Sequence, residues 1–268
     1  MQDNIQKIIA VLNDFSMIDE VLAKTFTFAQ KHDATIEILY VHESPLFDVP
    51  DLFCSDTEEN SIDKAKIKAS IEEKVNTYNT EKQVVVFVQI DDTENRVWAL
   101  AREENETLII TGYHKDITEN ILRKIKQAVL VVKTDTEAYN KIALVIDTAG
   151  HGKNCIGTVK RHFPESDVEL FYDYRYIIDP NMEAAVENTM IIEEAQREAF
   201  DTLKSESGLK GAFFIDGVFS DTQMSEYVQE NGFDMLYVCS QEDDFFISDN
   251  LAITLLDTLN CDMLVSSR

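Results

Sequence analysis

The segment KIIAVLNDFS, Lys7 to Ser16, returns as KIALVIDTAG, Lys141 to Gly150. The close of the first half, QAVLVVK from Gln127, returns as CDMLVSSR from Cys261. Both pairs are offset by 134 positions (141 − 7 and 261 − 127), so the chain carries one strand and helix plan twice. Ile8 to Leu12 and Ile142 to Ile146 are short, nearly continuous apolar runs, the pattern of strands buried on both faces of a parallel sheet. The repeat divides the chain into domains 1–137 and 138–268, each large enough to bury its own core.

In the first copy Ser16 is positioned to cap a helix with Val21, Leu22, Thr25, Phe26 and Ala29 at helical spacing. A second strand is predicted over Thr35 to Val41, a helix from Ser61, a third strand over Val84 to Ile90 and a helix over Thr93 to Asn105. Leu108 to Thr111, Ile117 to Lys126 and Ala128 to Val132 supply the fourth strand, fourth helix and fifth strand. The second copy follows with strands at Ile142 to Ile146, Val168 to Tyr172, Ala212 to Ile215, Met235 to Cys239 and Met263 to Ser266. Its long helix has Asp179 as N-cap, Pro180 in the first turn and Gly208 just past the end. Alternating strands and helices joined by right-handed crossovers make an α/β protein. The expectation is two tandem doubly wound, Rossmann-like five-stranded parallel sheets with helices on both faces, packed as a pseudo-twofold dimer.

Ligands of such sheets settle beyond the carboxyl ends of the strands, where the winding reverses. In the first copy those positions hold Asn13, Asp14, Val41, His42, Gly112, Tyr113 and His114. In the second they hold Asp147, Thr148, Tyr172, Asp173 and Ser240 to Asp244, with Tyr172 and Ser240 read as the counterparts of His42 and His114.

Composition narrows the partners. A formal charge of −26 at pH 7 repels nucleic acid backbones and anionic lipid, and excludes neither a solvated surface nor an acidic docking face. No apolar run reaches the roughly 20 residues of a membrane span, and MQDNIQKII lacks the parts of a signal peptide, so a cytoplasmic location is expected. Cys54, Cys155, Cys239 and Cys261 show no CxxC spacing and read as ordinary reduced thiols.

With these elements in place, the chain resembles the universal stress protein family, in particular its tandem members. The resemblance rests on Asn13 and Asp147 at the strand-one ends, LYVHESP from Leu39, Gly112 after strand four and AVLVV from Ala128. It implies a Rossmann-like, HUP-type fold and, for many members, ATP held by a strand-one aspartate and a G-x2-G-x9-G-[ST] loop. Glycines serve there because backbone N–H groups must approach phosphate oxygens beside a helix N-terminus. In this chain Lys115 stands three residues after Gly112, and Lys115 and Asp116 fall where the motif's final glycine and hydroxyl residue belong, leaving no room for the loop. The second copy reads SQEDDFFISDN from Ser240, with Glu242, Asp243 and Asp244 where a triphosphate would sit. Like charges at about 4 Å cost on the order of 1 kcal/mol even in bulk water. ATP and AMP are therefore disfavoured, and no cofactor is expected. Asp147 keeps the family's aspartate position and Asn13 replaces it in the first copy, which leaves a ligand in the Asp147 cleft as an alternative.

Other chemistry is sparse. His42 and His114 are candidates for a metal or acid–base pair, but two histidines without tight ligand spacing are more often solvent-facing loop residues, so a metal-dependent enzyme ranks as a second alternative. No Walker loop, G-x-S-x-G, HExxH or GxGxxG motif is present, and no catalytic residue is assigned. TAGHGKN from Thr148 reads as a flexible helix entry or an anion site using Gly150, Gly152 and Lys153. SPLFDVPDLFCSD from Ser44 carries Leu46, Phe47, Val49, Leu52 and Phe53, which must be covered by the domain itself or by a second chain. The apolar edges Ala128 to Val132 and Met263 to Ser266 are expected to pair with each other, with a homodimer or a protein partner as further possibilities.

Overall fold

The computed structural model describes residues 5–13, 17–43, 63–78, 82–102, 106–146, 149–176, 183–217, 222–240 and 245–267. Within them, side chains are described except at 149–150, 175–176, 183–191, 216–217, 222, 240, 245–251 and 267. Asp14, Ser16, Ser61, the 44–56 stretch with Cys54, Asp147, Thr148, Asp179, Pro180 and 241–244 lie outside the described residues.

The first copy runs β1 (Lys7–Asn13), α1 (Ile18–His32), β2 (Thr35–Glu43), α2 (Lys64–Asn76), β3 (Val84–Asp91), α3 (Thr93–Ala101), β4 (Thr107–Gly112) and α4 (Lys115–Lys124), then β5 (Ala128–Val132). The second runs β6 (Lys141–Ile146), α5 (Ala149–His162), β7 (Asp167–Tyr176), α6 (Glu183–Ser207), β8 (Lys210–Gly217), α7 (Thr222–Glu230), β9 (Met235–Ser240), α8 (Phe245–Thr258) and β10 (Asp262–Ser267). The chain divides into two compact units, Asn4–Ile125 and one formed mainly by Lys126–Arg268. β5, which closes the first copy in sequence, thus packs with the second.

In the first unit the strand order is β3-β2-β1-β4, all parallel. The winding reverses between β1 and β4. Ile8 to Leu12 on β1 are fully buried because this central strand is covered on both faces: α1 packs on β1, β2 and β4, while α3 packs on β1 and β2. α1 begins without a side-chain cap, Met17 holding the N-cap position, and ends at Asp33, a left-handed residue with φ 55° whose carboxylate meets Lys82 at 2.7 Å. α2 starts at Lys64, where Asp63 accepts from the Lys66 N–H at 3.0 Å. α3 ends at Ala101, short of the predicted Asn105.

The second unit has the order β5-β10-β9-β6-β7-β8. The core order β8-β7-β6-β9 repeats that of the first unit, with reversal between β6 and β9. β10 extends it in parallel beside β9, and β5 pairs antiparallel on its other side, Leu264 opposite Leu130. Phe171 on β7 anchors one face, edge-on to Phe214, Tyr227 and Phe233. On the other face Tyr172 stacks on Phe213 with centroids 5.1 Å apart, and Phe200 of α6 meets both rings edge-on. Gly208, with φ +69°, terminates α6 as its position predicts.

Candidate functional site

At the carboxyl ends of the first unit, Asn13 lies in register with Val41, and Val11 with Thr111, so Asn13, Val41 and Gly112 come to one end of three neighbouring strands. Asn13 and Val41 are buried there. The step from β4 to α4 is two residues, Tyr113 and His114. His114 occupies the N-cap position of α4 in an extended conformation, and its N–H donates to Thr118 Oγ1 at 3.0 Å. His42 continues β2 opposite Ile90. β1 runs between β2, which carries His42, and β4, which leads to His114, placing those strands two spacings, about 10 Å, apart. Among the described residues no group of three or more His, Cys, Asp or Glu side chains is arranged to hold a metal ion.

A residue that sequence reasoning passed over, Glu43, closes part of this end. Its Oε1 accepts the Thr93 N–H at 3.2 Å and also the Thr93 hydroxyl, so a carboxylate from β2 occupies the positive end of α3. The T-E-N-R start of α3 gave a helix entry, but not a cap supplied by a residue 50 positions earlier.

Register changes the comparison between copies. Leu12 pairs with Tyr40 and its repeat partner Ile146 pairs with Tyr172, so Tyr172 corresponds to Tyr40, Asp173 to Val41 and Tyr174 to His42. Tyr172 is not past a strand end: β7 continues four residues beyond it, to Tyr176, and the Tyr172 hydroxyl donates to Gln196 Oε1 at 3.2 Å within the α6 packing. The assignment of Tyr172 as counterpart of His42 is corrected to Tyr174. Asp173 is buried at the Val41 position. Tyr174 is half-buried, and burial first, then Glu193, raises its phenol above the ordinary value.

Val11 pairs with Thr111 and Val145 with Val238, so Gly112 corresponds to Cys239 and Tyr113 to Ser240. Cys239 is joined to Cys155 of α5 by a disulfide, with Cα atoms 6.0 Å apart and both residues buried. This overturns the expectation of four reduced thiols. The two cysteines are 84 positions apart, and only the fold brings the second turn of α5 against the end of β9. Cys261 is free and buried, and burial first, then Asp262, pushes its thiol up to about 11.

The TAGHGKN turn is helical from Ala149 onward, so Gly150 and Gly152 lie inside α5 instead of a loop. Gly152 serves packing: a Cβ there would run into Leu203 of α6. Lys153 pairs with Glu206 at 2.7 Å. No described helix is long and apolar enough to cross a membrane.

Residues 4–133 match the family model described as the universal stress protein family. No curated protein matches the chain in sequence. Among solved structures, a protein described as a universal stress protein from Pseudomonas aeruginosa UCBPP-PA14 is 15% identical with TM-score 0.68, covering 99% of this chain and 94% of its own. A universal stress protein from Archaeoglobus fulgidus DSM 4304 is 12% identical with TM-score 0.63, covering 100% and 98%. At these identities the structures share the fold, and they share it over the whole length. By the match over residues 4–133, the first copy belongs to the universal stress protein family.

Proposed function

We propose that this protein acts as a stress-response binding or regulatory protein whose clefts are not built around an ATP phosphate loop. Family membership supports the stress-response part. The observation that carries the rest is the direct step from β4 to α4 through Tyr113 and His114, where a phosphate loop needs a glycine-rich segment. The second copy supports it independently, with buried, disulfide-bonded Cys239 at the position of Gly112. Catalysis is not part of this reading, and its compartment is the cytoplasm. Its partner is another protein or a second copy, bound away from the β5–β10 edge that the second unit already pairs within itself.

Thermal melts with millimolar ATP, AMP and Zn²⁺ test the reading. A ligand present at 100 times its dissociation constant adds about 2.7 kcal/mol of stability. Unchanged melting with all three is the expected result. A nucleotide shift abolished by Asp147→Ala would replace this reading with a nucleotide module, and a zinc shift lost in His42→Ala would replace it with a metal site.

A further inference from the structure

Cys155 and Cys239 lie at the carboxyl end of the second unit's central strands. Cys239 is in register with Ile146, the last residue of β6, and lies one residue before the end of β9 at the point where the winding reverses. Cys155 lies in the second turn of α5, the helix that follows β6 and packs on both β6 and α6. The first copy has Val21 and Gly112 at these two positions, a pair that leaves α1 and β4 covalently independent. Only the second copy therefore ties its first helix to the exit of its switch-point strand by a bond that can be made and broken.

We propose that Cys155–Cys239 is a reversible thiol–disulfide latch that holds the carboxyl end of the second unit closed when oxidised and releases α5 from β9 when reduced. The reductant is a dithiol. One of its thiolates attacks a sulfur of the pair, the S–S bond breaks, and the other protein sulfur leaves as a thiolate that takes up a proton. The second thiol of the reductant attacks the mixed disulfide, frees the second protein thiol and closes the reductant's own disulfide. Two electrons and two protons pass to the protein. Both sulfurs belong to buried residues, so attack waits on local opening of the α5 end, and the latch responds more slowly than an exposed disulfide. The latch is independent of which ligand or partner the protein binds.

The test uses the full chain. Alkylation and peptide mass mapping before and after dithiothreitol count the two thiols, and hydrogen exchange follows peptides from Ala149–His162 and Met235–Thr258. The expected result is a Cys155–Cys239 peptide in the air-oxidised protein and, on reduction, exchange in those segments faster by on the order of tenfold, reversed by oxidised glutathione. Exchange in β1 and β2 stays unchanged. Cys155→Val, which installs the first copy's residue, is expected to match reduced wild-type protein and to ignore dithiothreitol. The proposal is overturned if no linked peptide forms under oxidation, if the bond opens only with global unfolding, or if reduced wild-type protein exchanges like the oxidised form. The last comparison stands even if the variant fails to fold.

Discussion

Tyr139 Oη donates a 2.7 Å hydrogen bond to Asp262 Oδ2, linking the segment between the two copies to the first residue of β10. Asp262 is fully buried, and its Oδ1 accepts from the Lys133 N–H at 2.8 Å, the Thr134 N–H at 2.9 Å and the Thr134 hydroxyl at 3.0 Å. A buried carboxylate is tolerable because four donors converge on it. Tyr139→Phe removes one of them and is expected to cost about 1.5–3 kcal/mol, the range for hydrogen bonds to charged groups. Asp262→Ala strands two backbone N–H groups as well and should cost more. Urea unfolding of each variant gives both numbers, and equal stability of Tyr139→Phe and wild type would show that the bond contributes nothing.

Alkaline pH reads the same cluster. Burial first, then Asp262, raises the Tyr139 phenol well above 10, and Cys261 rises from 9.0 to about 11. In both groups the folded state holds its proton more tightly than the unfolded chain, so their contribution is complete below the unfolded value and lost as pH climbs through the folded one. Stability is expected to fall between pH 9 and 11 and further above it. Cys261→Ala should flatten the pH 9 to 11 part of the profile and leave the fall to which the raised phenols, Tyr139 and Tyr174 among them, contribute.

Two glycines of the second unit should respond in opposite directions to alanine. Gly211 on β8 faces Leu170 on β7, and an added Cβ would collide with the Leu170 carbonyl, which is backbone and cannot rotate away. Gly211→Ala is expected to cost about 3 kcal/mol. Gly157 lies inside α5 with open space around its Cβ position, so Gly157→Ala is expected to add about 0.5–1 kcal/mol. Denaturation midpoints of the two variants on either side of wild type would bear this out.

The repeat made the architecture legible because strands buried on both faces leave continuous apolar runs, and Ile8 to Leu12 and Ile142 to Ile146 are such runs in the structure too. The site was less legible. Val168 to Tyr172 reads as a complete strand in the sequence, yet β7 runs on through the buried Asp173 to Tyr176. The two-residue shift in the comparison with His42 follows from that boundary. Glu43 on Thr93 and Cys155 with Cys239 are contacts across 50 and 84 positions, and no local spacing encodes them. The shortened β4–α4 step, by contrast, was visible because it is a matter of chain length between two periodic segments.

His32 offers a probe of the first unit. Burial first, then the neighbouring Lys31 charge, holds its imidazole below the ordinary 6.5. The folded state thus binds this proton less readily than the unfolded chain, so the associated stability is present above 6.5 and is lost as pH falls through the lower folded value. In an NMR titration His32 should show a midpoint below 6.5. Lys31→Gln should raise it part of the way, since burial remains, and an unchanged midpoint in that variant would remove Lys31 as a cause.

The boundary between the units makes a final prediction about fragments. β5 pairs with β10 through Val129–Val265, Leu130–Leu264 and Val131–Met263, and the residues after it supply donors to Asp262. A fragment cut at the sequence boundary, 138–268, loses that strand and the Lys133 and Thr134 donors while keeping Tyr139. It would expose the β10 edge, with Leu264 and Met263 now uncovered on one side. A fragment 126–268 keeps all of these groups. The longer fragment is therefore expected to be monomeric with a cooperative melt, and the shorter one to melt at lower temperature and to self-associate. Sedimentation and thermal melts of the two decide it: equal stability and the same association state would mean that β5 is not an integral strand of the second unit.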